Sequence, residues 1–355
     1  MSSILVLGAS YGSLPATKLA MAGHHVRLVC SQGTADLINR EGTIVRFPIK
    51  GRAGALPVRS RDLPGVLDAA TPDGADPSAF DLVVLGMQES QYGEASVRRL
   101  MRRIAAARVP CLAIMNMPPP PYLQRIPGLQ STQLEDCYTV SDLWRDFDPA
   151  LVTLASPDPQ AFRPADEPKN VLVVGLPTNF KAARFEGQGP TALLRQLAAD
   201  IDGARYVDGG EAVDIPVKLK VHESLFVPLA KWPMLITGNY RCIRSTEMIS
   251  IHHAVHGDLE RSRGIYECVA DLCCQLGAAR DDLVPFEKYA QAAASLQKPS
   301  SAARALFGGA AHIERVDSLV QRIAAQLEVS NDDFEEIVGL VDSRLRANRA
   351  ALEHA

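Results

Sequence analysis

Short apolar runs alternate with helix-like stretches through the first half of the chain. Residues 3–7 form a β-rich run ending at Gly8, and residues 12–22 carry the spacing of a helix. After Gly23 the segment HHVRLVC predicts a second strand. FDLVVLGM (80–87) and VPCLAIMN (109–116) predict two more, with a helix through about 94–106 between them. Strands that alternate with helices imply right-handed crossovers, so the sheet is expected to be doubly wound and mainly parallel. ALVTLAS (150–156) and NVLVVGL (170–176) are expected to extend it, with the proline-rich segment 157–170 as a loop between them. Beyond DGARYVDGGEAVD (202–214) the pattern changes to long helical periods at 216–237, 245–276 and 313–349. The predicted organisation is an α/β domain over residues 1–208, then an all-helical domain over 209–355.

A length of 355 residues is enough for two cores of ordinary size. Apolar residues at 47% and charged residues at 22% describe a soluble globular protein. The formal charge of -4 gives no electrostatic reason for a nucleic-acid or anionic-membrane partner. No apolar run approaches the ~18 residues of a membrane span. The start, MSSILVLG, reads as a buried strand and not a signal peptide, so a cytoplasmic location is expected. Cys30, Cys111, Cys137, Cys242, Cys268, Cys273 and Cys274 are odd in number and lack ligand spacing. Free thiols and no metal site are expected.

The segment GASYGSLPA, Gly8 to Ala16, joins the first strand to the first helix. A dinucleotide turn needs a glycine at the bend and a small residue where backbone meets pyrophosphate. It needs another small one where helix packs on strand. Gly8 fills the first place; Ser10 and Ser13 stand at the other two, with Tyr11 and Gly12 between them. The helix amino terminus offers N–H groups and the positive dipole end to an anion. The second strand ends at Cys30-Ser31-Gln32, without the acid that NAD-preferring sites place there. Ser31, Gln32 and Thr34 can donate to a 2′-phosphate and Arg40 can reach it, so NADP(H) is the expected cofactor.

Four landmarks follow one another in the order of a known family. They are the opening ILVLGASYGSLPATKLAMAGHHVRLVC, the loop DLVVLGMQESQ (81–91), LAIMN ending at Asn116, and VKLKVHESLFVPL (217–229). Together they resemble the ketopantoate reductase family. The resemblance implies a Rossmann-type domain followed by a helical 6-phosphogluconate-dehydrogenase-like domain. It implies cofactor contacts at Gln88 and Gln91, Gln88 standing where the family has lysine, and a further contact at Asn116. It also implies a general-acid lysine at the start of the second domain, which Lys218 matches, with Lys220 as the rival if the register slips. A cation there polarises a carbonyl and stabilises the developing alkoxide. His222 replaces the family's asparagine four residues on, on the same helix face as Lys218. It is expected either to face the substrate, donating to a carboxylate or sharing proton transfer, or to be a hydrogen-bonded core or interface histidine. Ser300 or Ser301 is expected to hold a substrate carboxylate, though Ser300 is equally a helix cap. Glu314 is the expected acid, with Arg315 as the alternative register.

Three departures bear on the substrate. Pro118–Pro121 replaces the family's flexible glycines, either reshaping a pocket or stiffening a surface connection. IHHAVHG (251–257) lacks a third metal ligand, and Arg241 is a candidate for a substrate carboxylate. No G-x-S-x-G elbow occurs, which disfavours a hydrolase. The expected function is an NADP-dependent oxidoreductase acting on CH–OH/C=O, reducing a small 2-keto acid or relative. The alternatives are an imine or bulky-ketone reductase on the same fold, or a catalytically silent NADP(H)-binding sensor module. A homodimer is expected from the helical carboxyl-terminal part.

Overall fold

Apolar runs bounded by glycine, proline or polar residues set the strands. In the computed structural model, which describes residues 1–353, fourteen strands occur in chain order. They are β1 (Ser3–Leu7), β2 (His25–Val29), β3 (Ile44–Pro48), β4 (Ala55–Arg59), β5 (Val66–Ala70), β6 (Leu82–Leu85) and β7 (Cys111–Ile114). After them come β8 (Val152–Ser156), β9 (Gln160–Phe162), β10 (Val171–Leu176), β11 (Phe180–Ala183), β12 (Tyr206–Asp208), β13 (Glu211–Val213) and β14 (Leu219–His222). Eight of them make the main sheet in the order β14-β11-β8-β7-β6-β1-β2-β5. Its pairings are parallel except at β8–β11.

The chain leaves β1 for β2 on one side and returns to β6 on the other. That reversal makes a crevice at the carboxyl ends of β1 and β6, the place where open α/β sheets bind ligands. Helices α1 (Ser13–Met21), α2 (Gln32–Glu41) and α3 (Ala95–Ala107) follow β1, β2 and β6 as crossovers. Two expectations need correction. NVLVVGL is β10, but it joins a second sheet in the order β4-β3-β10-β9, and the supposed loop supplies β9 to it. Residues 217–222 are extended, with β14 pairing alongside β11, where a helix was expected.

The chain divides into two compact units. Unit one holds residues 1–87, 91–122 and 142–223; unit two holds 88–90, 123–141 and the segment from Ser224 onward. The expected boundary at 208/209 thus falls inside unit one, because β14 completes the main sheet. Two excursions also join the helical unit. Buried Glu89 accepts backbone N–H bonds from Thr139 (3.0 Å) and Val140 (2.9 Å), which ties the short segment to the long one.

Unit two is helical, with Ile251–His256, Leu259–Gln275, Phe286–Ala293, Ser301–Phe307, Val316–Gln326 and Asp332–Glu353 as its regular helices. The expected helix over 245–276 is broken at Gly257-Asp258, where Asp258 caps the second piece through the Arg261 N–H. The expected helix over 313–349 is likewise interrupted between Gln326 and Asp332. Residues 228–242 make one helical stretch that passes from 3₁₀ through α to π hydrogen bonding. The π turn has a visible cause. Tyr289 donates its hydroxyl to the Met234 carbonyl (3.1 Å) and lies against Gly238, where a Cβ would sit 2.0 Å from that oxygen. A side chain inserted into the ladder distorts it locally. No helix among the described residues is long and apolar enough to cross a membrane.

All of α1 is buried, Lys18 included at 1% exposure. Its ammonium nitrogen donates to the Ile215 carbonyl (2.6 Å), beside a cavity of about 20 Å³ also lined by Lys218, Leu112 and Phe180. Burial first, and then the charges of Lys218 and Arg205 against those of Asp214 and Asp202, bring its pKa from 10.5 down to about 7. Between those values the unfolded chain binds a proton that the folded chain does not. Stability therefore falls as pH drops from about 10.5 to about 7 and levels off below. Lys18→Met is expected to stabilise the protein at pH 7 by about 2 kcal/mol and to flatten its stability between pH 7 and 10. Denaturant titrations at the two pH values measure this.

Candidate functional site

The turn after β1 is closed by backbone-to-backbone packing. Gly8 has φ +95°, and a Cβ there would lie 2.6 Å from Met87 Cγ and 3.1 Å from the Gly86 carbonyl oxygen. A Cβ on Gly12 would lie 2.1 Å from the Gly8 oxygen, and one on Gly86 would lie 3.1 Å from that of Leu7. Three glycines therefore let the ends of β1 and β6 and the start of α1 meet across the crevice. The Ser13 and Leu14 N–H groups bond back to Ser10 (3.1 Å) and Tyr11 (3.0 Å), which tightens the first turn of the helix.

The side chains in the turn divide by role. Ser10 is exposed at the helix amino terminus, where it can meet an anion. Ser13 is 2% exposed and donates its hydroxyl to the Ala9 carbonyl (2.6 Å), so it braces the turn from inside. Tyr11 donates to the Pro159 carbonyl (2.6 Å) and packs edge-on to Phe180. Burial, and then the charge of Asp158, hold its phenol well above the usual range. What Tyr11, Gly12 and Ser13 can offer a ligand is backbone.

At the end of β2, Ser31 bonds Thr34 (3.1 Å), and the Gln32 amide donates to Asp36 (2.7 Å). Arg40, exposed on the helix surface, pairs with its neighbour Glu41 (2.8 Å). Gln88 and Gln91 are exposed beyond Gly86, and Asn116 is half-buried beyond β7. Gly8, the Gly86–Gln91 segment and Asn116 thus follow three adjacent strands at one edge of the sheet. Pro118–Pro121 is buried and leads into the helical turn Pro120–Leu123, so it is an interior feature and not a surface connection.

Lys218 stands at the start of edge strand β14, with four strands between it and β1. Its ammonium bonds the Asp214 carboxylate (2.7 Å) and the Asp202 carbonyl (3.2 Å), and Lys220 lies 3.4 Å from the Asp202 carboxylate. His222 closes the strand, with its carbonyl accepting from the Arg184 N–H (2.9 Å). Four residues of extended chain put Lys218 and His222 about 13 Å apart. On a helix they would be neighbours.

Unit two gathers the other candidates around the end of the 228–242 stretch. Ser300 is 2% exposed, donates to the Asn239 carbonyl (2.6 Å) and accepts from the Ala303 N–H (3.1 Å), so it is a cap. Ser301 is exposed at the helix start. The Tyr240 hydroxyl donates to the Glu314 carbonyl and accepts from the Val316 N–H (3.1 Å). Arg315 is clamped by Asp317, whose side chain is fully buried, and by Asp342 (2.7 Å). Two carboxylates thus hold Arg315 in place, and Glu314 precedes it. Arg241, 5% exposed, bonds Ser262 (2.7 Å) inside the unit. His252 and His256 stack at 4.9 Å, with His256 Nε2 2.9 Å from the Ala290 carbonyl. The lysine at the head of this helical stretch is Lys231, half-buried, eight residues before Asn239.

No protein-family model and no curated protein matches the chain. Among solved structures, 2-dehydropantoate 2-reductase from Methylococcus capsulatus is 14% identical, with 98% of each chain covered and a TM-score of 0.66. D-mandelate dehydrogenase, solved with NADH and anilino(oxo)acetate, is 13% identical over 98% of this chain and 99% of that one, with a TM-score of 0.64. A dimeric ketopantoate reductase from Staphylococcus aureus is 12% identical over 98% and 99%, with a TM-score of 0.62. The chain has the ketopantoate reductase fold along nearly its whole length. At these identities the likeness speaks for the fold.

Gly86 was missed from sequence. The apolar run of FDLVVLGM hid the one residue in it that must lack a Cβ. Gly12→Ala is expected to cost about 3 kcal/mol by overpacking the turn, read as a lowered unfolding midpoint. Ser10→Ala, at an exposed position, is expected to leave the midpoint unchanged.

Proposed function

We propose that the chain is an NADPH-dependent reductase of a small 2-keto acid. One observation carries the reading: a turn closed by Gly8, Gly12 and Gly86 at the switch point of the sheet, with a helix amino terminus and exposed Ser10 behind it. The three glycines let the strand ends and the helix start close up, and the helix amino terminus beside them offers N–H groups suited to a pyrophosphate. Gln88, Gln91 and Asn116 follow the neighbouring strands and would hold the nicotinamide half. When bound, the cofactor supplies a hydride to the carbonyl carbon.

The protein's own part is to orient the substrate and deliver a proton to the carbonyl oxygen. We assign the proton to Lys231. The resemblance calls for a lysine at the start of the helical part, and that part begins at Ser224, beyond Lys218. The Lys231 ammonium polarises the carbonyl and gives up its proton as the oxygen becomes a hydroxyl. Ser301 and Glu314, on segments anchored to Asn239 and Tyr240, contact the substrate's polar groups. The protein is expected to act as a cytoplasmic homodimer.

NADPH oxidation against a panel of 2-keto acids tests the reading. Lys231→Ala is expected to lower kcat at least ~100-fold while NADPH binds as before, and Lys218→Ala to change it less than ~3-fold. The opposite ranking would return the proton to Lys218. Turnover only on imines or bulky ketones would select the other reductase reading. NADPH binding without turnover on any carbonyl or imine would select the silent module.

A further inference from the structure

We propose that Arg163 is the residue that reads the 2′-phosphate of NADP(H), a role given to it by a strand distant in sequence from the β2 end it serves. The proposal rests on the cofactor reading above. Arg163 directly follows β9, the strand that sequence alone took for a loop. Its guanidinium donates to the carbonyl of Ala9, within the dinucleotide turn (2.9 Å). The side chain whose ionisation it influences is Cys30, at the end of β2. Arg163 therefore lies between the turn and the end of the second strand, where a Rossmann site places the adenosine ribose.

Three other arginines of unit one each pair with a carboxylate. Arg27 is bidentate to Asp68 (2.6 and 2.8 Å), Arg40 pairs with Glu41 (2.8 Å), and Arg46 is bidentate to Glu167 (2.6 Å). Among the described residues no carboxylate pairs with Arg163, although it is only partly exposed. A half-buried guanidinium with one of its five N–H donors on a carbonyl is suited to an anionic partner. The segment carrying it is fixed at both ends. Tyr11 grips Pro159 on one side, and Arg46 grips Glu167 on the other. The cation is thus held in place before any ligand arrives. A phosphate monoester matches the bidentate geometry of arginine, whereas a ribose hydroxyl gains little from it.

Calorimetric titration of the wild type, Arg163→Ala, Arg163→Gln and Arg163→Lys tests this. The probes are NADPH, NADH, adenosine 2′,5′-bisphosphate and AMP. The wild type is expected to prefer each 2′-phosphorylated probe to its plain partner. Arg163→Ala and Arg163→Gln should weaken NADPH and the bisphosphate at least ~10-fold and leave NADH and AMP within about twofold. Arg163→Lys should fall between. The glutamine variant keeps an N–H toward Ala9, so it separates loss of charge from loss of the turn contact if the alanine variant folds poorly. Equal weakening of all four probes in Arg163→Gln would make Arg163 a support for the turn and overturn the proposal, as would unchanged binding. A wild type that binds NADH as tightly as NADPH would overturn it and remove the NADPH preference, while leaving a nicotinamide-dinucleotide site intact. A wild type that binds neither dinucleotide would remove both.

Discussion

Everything proposed for this protein depends on how closely three backbone segments approach one another at the switch point of the main sheet. Gly8, Gly12 and Gly86 pack with no room for a single Cβ, one of them with φ at +95°. That contact sets the end of β1, the start of α1 and the loop after β6 in one frame. It also concentrates polar demand at Ala9, whose carbonyl accepts from both the Ser13 hydroxyl and Arg163. The serine that looked like a compromised glycine is part of the brace, and the β9 segment is fastened to the same point. A ligand entering there meets a surface whose groups are already committed in place, so little ordering is left for binding to supply.

Unit two shows the same economy in a helix. Tyr289 pushes its hydroxyl against Gly238 and takes the Met234 carbonyl, and the helix relaxes into a π turn. Asn239, the last residue of that turn, then receives Ser300 through its carbonyl, while Tyr240 holds the backbone of Glu314. π turns recur where a helix has to re-aim its side chains. Lys231 sits at the head of the stretch and Asn239 near its foot, which gives the proposed proton donor and substrate-binding segments one common support.

The sheet order around β1 was legible because the strands there are strong apolar runs separated by helices. The NVLVVGL run was equally apolar, and its joining a second sheet could not be read from it, since apolarity reports burial and not the partner strand. The error at 216–237 was avoidable. Val217, Leu219 and Val221 alternate strictly with Lys218 and Lys220, a period of two that marks a half-buried strand. Following the family resemblance into a helix put Lys218 and His222 on one helix face, whereas residues 219–222 are a strand. The resemblance was sound about the fold and misleading about the local structure of residues 217–222. Ser300 was legible as a cap, and it caps the helix Ser301–Phe307 while bonding the Asn239 carbonyl. Arg163 could not be found from sequence, because its meaning lies in meeting Ala9, 154 residues away.

The central claim is that a dinucleotide lies across this turn. Hydrogen–deuterium exchange of the full chain with and without NADPH tests it most directly. Protection is predicted in the backbone around residues 8–14, 30–34 and 86–91 and in the β9 segment 157–163, with β12 and β13 unaffected. Saturating NADPH that leaves those four segments unprotected would contradict the account.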